Sequence, residues 1–262
     1  GLRLKQQLGV HWIADFRDPW SRWEILDKLK VQLLARYIHQ RLERKVLQKA
    51  DQVVTVSHSW AHEFESLSPT SQVSVIPNGY DHVDFEGRNT ITVDDKGPIM
   101  MGHFGMINEM RDISYLVAAI KKYNEEHSRP IQLYFTGIIS EAFRAKVSND
   151  PVARSIKQVK NSIPHHEVVQ QMQASHLLLL ITNQSKNAEG HIPGKFFEYL
   201  ASRRPVLALS QTAGDVGKVL SETGGGLIAS PFDTQEIYTS IKALVSTMKE
   251  YHPNATQIAK YS

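Results

Sequence analysis

The amino-acid sequence predicts an α/β protein with two doubly wound parallel-sheet domains, of which the N-terminal one is only partly present. Short apolar runs of strand length alternate with amphipathic segments of helix length along most of the 262 residues, which is the pattern of parallel sheets covered by helices. The polar stretch 82–97 interrupts this alternation and is predicted to link the domains. We therefore assign 1–85 to the first domain and 86–247 to the second, with 248–262 as a tail that could cross back to the first.

The first predicted domain contains three strands, at 10–14, 52–56 and 73–76. Between the first two strands, apolar residues recur at helical spacing over 21–49 without Gly or Pro, which predicts one long helix or a broken pair. The segment Ser57-His58-Ser59 is expected to cap the next helix, which covers 60–67. Three strands are fewer than a doubly wound domain usually carries, so upstream strands are expected to be missing from this chain.

The second predicted domain begins with a strand at 99–101 and shows the alternation more clearly. Further strands are predicted at 131–136, 177–181 and 206–209, with a last short strand after Gly224. Helices are predicted at 112–126, over most of 138–159, after 163–167, from Lys195 and at 234–249. The run 177–181 is entirely Leu and Ile, as in a buried parallel strand.

Composition narrows the classes of function. The net charge of +3 gives no support for a nucleic-acid partner, and the absence of cysteine excludes disulfides and thiolate chemistry and agrees weakly with a cytosolic setting. Twelve histidines show no metal-ligand spacing, and the adjacent His165 and His166 face different ways on a helix or strand, so no metal site is expected. Neither a nucleophile elbow nor a Walker A motif is present, which argues against common hydrolases and NTPases.

The strongest candidate site is the stretch 189–210, which reads as a loop, a helix and a strand after the apolar run. A Pro193-Gly194 turn opens the helix, where unsatisfied amides and the helix dipole favour an anion. Lys195 would add a positive charge, and Glu198 could accept hydrogen bonds from ribose hydroxyls. The pattern favours a nucleotide site, while an ordinary helix with a Lys195–Glu198 surface pair explains it equally well.

A second junction of the same kind is the segment Gly102–Gly105, predicted to be a loop between a strand and a helix. Its glycines would let the backbone approach a diphosphate closely. Arg111, near the start of the following helix, could reach the same anion or pair with Glu109 or Asp112. The two junctions together support a phosphate site.

The first domain offers one chemically rich loop, where Asp15, Arg17 and Asp18 follow a strand in the sequence ADFRDPW. The end of a parallel strand is where sites gather, but Arg17 could instead pair with one of the carboxylates while Trp20 covers a core.

The segment 22–49 is rich in Lys and Arg. A basic amphipathic helix of this kind could lie on an anionic membrane or could simply be solvated on a sheet.

Three segments resemble the GT-B glycosyltransferases, and within them the retaining enzymes of family 4. IPGKFFEYLASRRPVLAL (192–209) resembles the donor-binding segment, while WIADFRDPW (12–20) and VIPNGYD (75–81) resemble the end of the acceptor half and the interdomain hinge. The resemblance implies two Rossmann-like domains and transfer of a sugar, with retention, from a UDP- or GDP-linked donor to a glycan or lipid-linked acceptor. It also implies no permanently bound cofactor, a cytoplasmic location with possible membrane association, and a role in cell-surface polysaccharide.

The resemblance further implies roles for individual residues, with 163–167 flanking the base. The implied catalytic residues are Asp15, Arg17, Asp18 and Glu189. The implied donor-binding residues are Gly102, His103, Phe104, Gly105, Arg111, His191, Ile192, Pro193, Gly194, Lys195 and Glu198. The implied hinge residues are Asn78 and Gly79.

The sequence departs from the family at two points. Glu189 and Glu198 are one residue further apart than the family's usual pair of glutamates, with Gly190 where that spacing would be kept, and the usual Arg and Lys pair is reduced to Arg111. Three alternatives therefore stay open: donor binding without transfer by this chain, a nucleotide-sugar 2-epimerase, and a noncatalytic binding or scaffold module.

Overall fold

The computed structural model describes the chain except for residues 24–25, 27–28, 87–95, 108–110, 149–155, 161–162, 183–187 and 211–213. The chain divides into two compact units, Gly1–Asn78 with Ser185–Ile192 and Gly79–Gln184 with Pro193–Ser262. Each unit contains a parallel sheet, which confirms the predicted fold class. The chain first passes from one unit to the other after Asn78, and 248–262 is grouped with the second unit.

The first unit has a three-stranded sheet in the order β1-β2-β3. Its core combines strand residues with one face of the helices, as in Phe16, Leu47, Val53, Trp60 and Phe64. The strands are β1 (Ile13–Phe16), β2 (Gln52–Thr55) and β3 (Val73–Val75), and the helices are α1 (Leu2–Leu8), α2 (Leu33–Lys49) and α3 (His58–Leu67).

Two local predictions in this unit can be compared directly with the structure. Within the predicted cap segment Ser57-His58-Ser59, the structure shows that Ser57 caps α3, since its hydroxyl accepts a hydrogen bond from the N–H of Trp60 at 3.4 Å, and the helix begins at His58. The first strand was predicted at 10–14 but lies at Ile13–Phe16. The apolar composition of 10–14 was misleading, because Val10 and Ile13 are exposed and the buried positions are Ala14 and Phe16.

Within the predicted helical region 21–49, Leu33–Lys49 forms α2, and residues 24–25 and 27–28 lie outside the described residues. Most of the apolar side chains that predicted this helix do not face the core. Exposed apolar residues on α2 are Leu33, Leu34, Tyr37, Ile38 and Leu42. In the described part of the chain, no helix is long and apolar enough to cross a membrane.

The second unit has a six-stranded parallel sheet in the order β6-β5-β4-β7-β8-β9. All residues of Leu177–Ile181 are buried, as expected for a central strand covered on both faces. The strands are β4 (Ile99–Phe104), β5 (Ile131–Thr136), β6 (Ile156–Lys160), β7 (Leu177–Ile181), β8 (Val206–Leu209) and β9 (Gly226–Ala229). The helices are α4 (Ser114–Glu126), α5 (Glu141–Ser148), α6 (His165–Ala174), α7 (Lys195–Ala201), α8 (Asp215–Thr223), α9 (Thr234–Thr247) and α10 (Ala255–Ala259).

Two predictions in this unit were wrong. The first strand continues to Phe104, so Gly102, His103 and Phe104 belong to β4 and not to a loop. The segment predicted to be mostly helical up to 159 ends in β6, whose sequence IKQVK lacks the apolar run that marks the other strands.

The C-terminal end of the chain is fixed to the second unit by backbone hydrogen bonds. The N–H of Asn254 donates to the carbonyl of Thr223 at 2.8 Å, and the N–H of Tyr80 donates to the carbonyl of Tyr261 at 2.9 Å. Helix α10 packs beside α7 and α8. The segment that follows Gly79 and the last helix are therefore neighbours.

Candidate functional site

The strand order places a topological switch point between β4 and β7. From β4 the chain proceeds outward through β5 and β6, and it then returns to the other side of β4 to form β7, β8 and β9. The connections leaving the carboxyl ends of β4 and β7 run in opposite directions, which opens a crevice where ligands bind in sheets of this type. The candidate site is built from the residues around this crevice.

His103 bridges the two strands at the switch point. Its Nδ1 lies 2.9 Å from the carbonyl oxygen of Leu179 on β7, so Nδ1 carries the proton and Nε2 is an acceptor. Nε2 is buried and has no hydrogen-bond partner among the described residues. Burial, followed by the positive charge of Arg111, lowers the pKa of His103 to about 4. The imidazole is therefore neutral and offers one acceptor atom.

Gly102 lies inside the sheet and serves packing. A Cβ at this position would lie 2.6 Å from the ring of Tyr134, so the glycine makes room for that ring. Phe104 then packs edge-on against the rings of Tyr134 and Tyr199, at 5.7 and 6.2 Å. These two predicted donor-binding residues shape the end of β4 from within.

Gly105 begins the loop after β4, and the neighbouring loop after β5 fixes its position. Its N–H donates to the carbonyl of Thr136 at 2.9 Å, and Ile107 continues the pairing with Ile138 at 2.9 Å. Gly137 adopts a φ of 139°, and a Cβ there would lie 2.3 Å from the Gly105 oxygen. Only glycine allows this approach, and Gly137 was not predicted to be a site residue although it follows a strand directly.

Arg111 lies beyond this loop, where its guanidinium donates to the carbonyl of Met106. Its charge lowers the pKa of His103, which places a cation near the switch point. Of the two carboxylates weighed as its partners, Glu109 lies outside the described residues. The other, Asp112, accepts hydrogen bonds from the N–H and hydroxyl of Ser114, at 3.0 and 2.7 Å.

Lys195 and Glu198 lie on the first turn of α7 and form an ion pair at 2.8 Å. The side chains are 35% and 18% exposed, and a pair of this exposure contributes little to stability. The opposite face of α7 is buried through Phe196, Phe197 and Tyr199. The helix therefore presents a cation and a carboxylate toward solvent from a rigid base.

The buried hydroxyl of Tyr199 attaches α7 to the end of β4. It accepts a hydrogen bond from the N–H of Phe104 at 2.7 Å and donates to the carbonyl of the same residue at 3.3 Å. Burial raises the pKa of this hydroxyl, so it stays protonated and can do both. Tyr199 thereby links the helix that carries Lys195 and Glu198 to the strand that carries His103.

The predicted segment 189–194 is divided between the two units. Glu189, His191 and Ile192 are grouped with the first unit, while Pro193 and Gly194 belong to the second. Glu189 is exposed in a short 3-10 helix, Ala188–Gly190. Gly190 fits against Trp60, since a Cβ there would lie 2.3 Å from the indole ring, and the His191 ring lies 6.4 Å from the same ring. Ile192 is buried.

The other three predicted catalytic residues are all exposed: Asp15 lies in β1, while Arg17 and Asp18 lie in the loop that follows it. The Nη2 of Arg17 donates to Oδ1 of Asn78 at 2.9 Å, so the predicted hinge residue Asn78 is its partner.

The buried carboxylate of Glu43 fixes this loop to α2. It accepts hydrogen bonds from the N–H groups of Trp20 and Ser21, at 3.0 and 3.2 Å. The sequence did not predict this role of Glu43, because an acidic residue among the basic residues of a helix is usually exposed to solvent.

The other predicted hinge residue, Gly79, is the first residue of the second unit. A Cβ at this position would lie 2.2 Å from the Tyr261 carbonyl oxygen. In the segment that the resemblance places beside the base, Nε2 of His165 lies 2.9 Å from Oδ2 of Asp84 as α6 begins.

A parallel sheet with a glycine loop, a cation and a solvent-facing carboxylate around its switch point has the general design of a nucleotide-binding α/β protein. Comparisons with known proteins agree with this class. Residues 1–79 match the model of the glycosyl transferase 4-like domain. No curated protein sequence matches the chain.

Several solved structures share the fold. The chain is 16% identical to sucrose-phosphate synthase from Thermosynechococcus elongatus, with a TM-score of 0.70 over 99% of this chain and 65% of that one. Anabaena HepE in complex with UDP is 14% identical, with a TM-score of 0.67 over 94% and 65%. WaaG, a glycosyltransferase involved in lipopolysaccharide biosynthesis, is 15% identical, with a TM-score of 0.65 over 95% and 70%.

The chain thus has the GT-B fold of these structures, and its residues 1–79 are similar to the glycosyl transferase 4-like domain. The resemblance predicted from the sequence is confirmed at this level. The chain spans about 65% of the length of the first two structures.

Proposed function

We propose that this chain binds a nucleotide-sugar at the β4–β7 switch point and belongs to a retaining glycosyltransferase that transfers the sugar to a glycan or lipid-linked acceptor. One observation carries the proposal: Tyr199 joins the helix bearing Lys195 and Glu198 to the end of β4, beside the glycine loop and near Arg111. Two cations, one carboxylate and one buried acceptor thus belong to a single rigid assembly. These groups match the diphosphate and hydroxyls of a nucleotide-sugar.

Each group has a chemical role in this proposal. Lys195 and Arg111 stabilise the negative charge that develops on the leaving diphosphate, which positioned cations do best where water is scarce. Glu198 accepts hydrogen bonds from the ribose. The Nε2 atom of His103, neutral and buried, accepts from a ligand hydroxyl. The other proposed donor contacts, at 191–194, follow from the family resemblance.

The proposed catalytic residues Asp15, Arg17, Asp18 and Glu189 all belong to the first unit. Asn78 and Gly79 are adjacent in the chain and belong to different units, which supports the proposal that they form a hinge. We assign no protein nucleophile. The proposal places the enzyme in the cytoplasm, with a role in polysaccharide synthesis and no permanently bound cofactor.

A uridine nucleotide is the first donor to test, because HepE, which shares the fold, was solved with UDP. Isothermal calorimetry with UDP, GDP and ADP would identify the base. Lys195→Ala should weaken binding of the preferred nucleotide about tenfold or more, while Lys121→Ala should leave it unchanged. Lys121 is a matched control because it also pairs with a glutamate on a helix surface, at 3.9 Å. Equal affinity in both variants, or binding of none of the nucleotides, would contradict the donor site.

We further propose that α2 contacts an anionic membrane. Its exposed apolar residues, including Leu34, Ile38 and Leu42, are accompanied by the exposed basic residues Arg41 and Arg44, a combination that suits an interfacial helix. Sedimentation with vesicles containing phosphatidylglycerol should capture the chain, and Ile38→Glu should release it. Equal capture by neutral vesicles would contradict the electrostatic part of the proposal.

A further inference from the structure

The second unit contains a cavity of about 350 Å³ at the C-terminal end of α7, at the opposite end of this helix from Lys195. Its walls come from the segment Tyr80–Glu86, the end of α6, the turn after α7, and α10. A cavity of this volume is in the range of small-molecule sites. None of the residues assigned to the donor site lines it.

Two adjacent arginines give the cavity a positive wall. Arg204 is partly buried, and its Nε donates to the backbone carbonyl of Gln173 at 2.8 Å. Burial lowers the pKa of Arg204, yet a guanidinium stays protonated at neutral pH. Arg203 is exposed and adopts a φ of 56°, a left-handed conformation that is uncommon for residues other than glycine. The strain is retained at a residue that lines the cavity.

Three carbonyl oxygens at the end of α7 accept hydrogen bonds, which lessens their repulsion of an anion. The carbonyl of Glu198 accepts from the N–H of Ser202 at 2.9 Å, and that of Leu200 accepts from the N–H of Arg203 at 3.1 Å. The carbonyl of Tyr199 accepts from the hydroxyl of Ser202 at 2.6 Å. The acidic residue on the wall, Glu86, lies 3.5 Å from His82.

One residue of the cavity wall also carries an unpaired acceptor. Gln173 is only 9% exposed, and its Oε1 is buried without a hydrogen-bond partner among the described residues. An unpaired buried carbonyl costs roughly 1 to 3 kcal/mol, so a ligand that donates an O–H would be stabilised there. Beside it, Tyr80 and Phe85 form an edge-to-face pair at 5.6 Å, which offers an apolar wall for the C–H face of a sugar ring.

From these features we propose that the cavity is a second ligand site, for a small sugar phosphate. Arg203 and Arg204 bind the phosphate, Gln173 Oε1 accepts from a hydroxyl, and Tyr80 and Phe85 pack against the ring. The site is independent of the nucleotide site, and its test does not require that the chain bind a nucleotide.

The test is calorimetric titration of the full 262-residue chain with glucose 6-phosphate, glucose and inorganic phosphate. We expect one site for glucose 6-phosphate, with both other probes binding at least tenfold more weakly. Arg203→Gly should fold at least as stably, because glycine removes the backbone strain, and should weaken glucose 6-phosphate binding at least tenfold. Arg41→Ala, an exposed arginine of α2, is the matched control and should change nothing.

Gln173→Met separates the hydroxyl contact from the phosphate contact. It removes the unpaired oxygen at similar volume, so the chain should fold and should bind glucose 6-phosphate only as weakly as inorganic phosphate. Absence of glucose 6-phosphate binding to the unaltered chain, or full binding by Arg203→Gly, would overturn the proposal. Equal affinity for inorganic phosphate would overturn the assignment of a sugar.

Discussion

The hydroxyl of Tyr199 accepts the backbone N–H of Phe104 at 2.7 Å and so holds α7 against the end of β4. The partner amide is buried within the sheet, where water cannot replace the lost bond. The positions of Lys195 and Glu198 relative to His103 depend on this contact. Its removal should therefore affect both stability and ligand binding.

Tyr199→Phe should lower the free energy of unfolding by about 1 to 3 kcal/mol, because the Phe104 amide loses its partner. It should also weaken nucleotide binding, since α7 is then free to shift. Urea unfolding and calorimetry measure the two effects. Tyr115→Phe, at a residue 40% exposed, should change stability by less than about 0.5 kcal/mol. An equal effect of the two changes would refute the role of the hydroxyl.

His103 should make stability depend on pH. Burial and Arg111 lower its pKa from 6.5 to about 4, so below pH 6.5 the unfolded chain binds a proton that the folded chain does not. Stability should fall by roughly 3 kcal/mol as the pH drops from 6.5 to 4. His103→Gln should remove this part of the slope. A His103 pKa above 6, measured by NMR, would show the prediction to be wrong.

Glu198 should distinguish a ribose from a deoxyribose. The unaltered chain should prefer UDP to 2′-deoxy-UDP by about tenfold, or 1.4 kcal/mol, because the carboxylate accepts a ribose hydroxyl. This preference should disappear in Glu198→Ala and persist in Glu125→Ala, which alters the matched pair on α4. For each variant, calorimetry of UDP and 2′-deoxy-UDP with the unaltered and the variant chain gives the coupling energy between the side chain and the 2′-hydroxyl. If Glu198→Ala keeps the preference for UDP, the ribose contacts another residue.

Gly137→Ala should be strongly destabilising, by more than about 2 kcal/mol, since the residue has a φ of 139° and its new Cβ would meet the Gly105 oxygen. Gly194→Ala is the control, because an added Cβ there meets no atom within 4 Å. It should stay within about 1 kcal/mol of the unaltered chain in chemical denaturation. Similar midpoints for both variants would argue against close approach of the two loops.

Glu43→Ala should loosen the loop that carries Arg17 and Asp18. The carboxylate is only 1% exposed and accepts hydrogen bonds from the N–H groups of Trp20 and Ser21. Its loss should therefore lower the free energy of unfolding by roughly 2 to 4 kcal/mol. Glu65→Ala, at a side chain 48% exposed, should cost less than about 0.5 kcal/mol. Thermal unfolding measures the stability of both variants. Equal stability of the two variants would show that the loop does not depend on Glu43.

Strands could be predicted from the sequence where they are buried and therefore form a largely apolar run. Strands β5, β7 and β8 lie at the predicted residues because their residues are mostly buried and predominantly apolar. Strand β6 was missed because its sequence is polar, and α8 was missed although its buried residues Val216, Val219 and Leu220 recur at helical spacing.

Contacts within the candidate site were predictable only between residues close in sequence, as in Lys195 and Glu198, which are neighbours on one helical turn. Tyr199, Gly137 and Glu43 act through contacts with residues distant in sequence, which spacing cannot reveal. The sequence also did not reveal that the segment 189–194 is divided between the two units, because its residues are adjacent in the chain.

Hydrogen exchange of the full chain with and without the preferred nucleotide tests the central claim most directly. The account predicts that bound nucleotide slows exchange in peptides covering 102–107 and 194–200, which flank the switch point, and that Lys195→Ala removes this protection. Protection confined to other segments, such as the cavity wall at 255–259, would contradict the assignment of the nucleotide to the β4–β7 crevice.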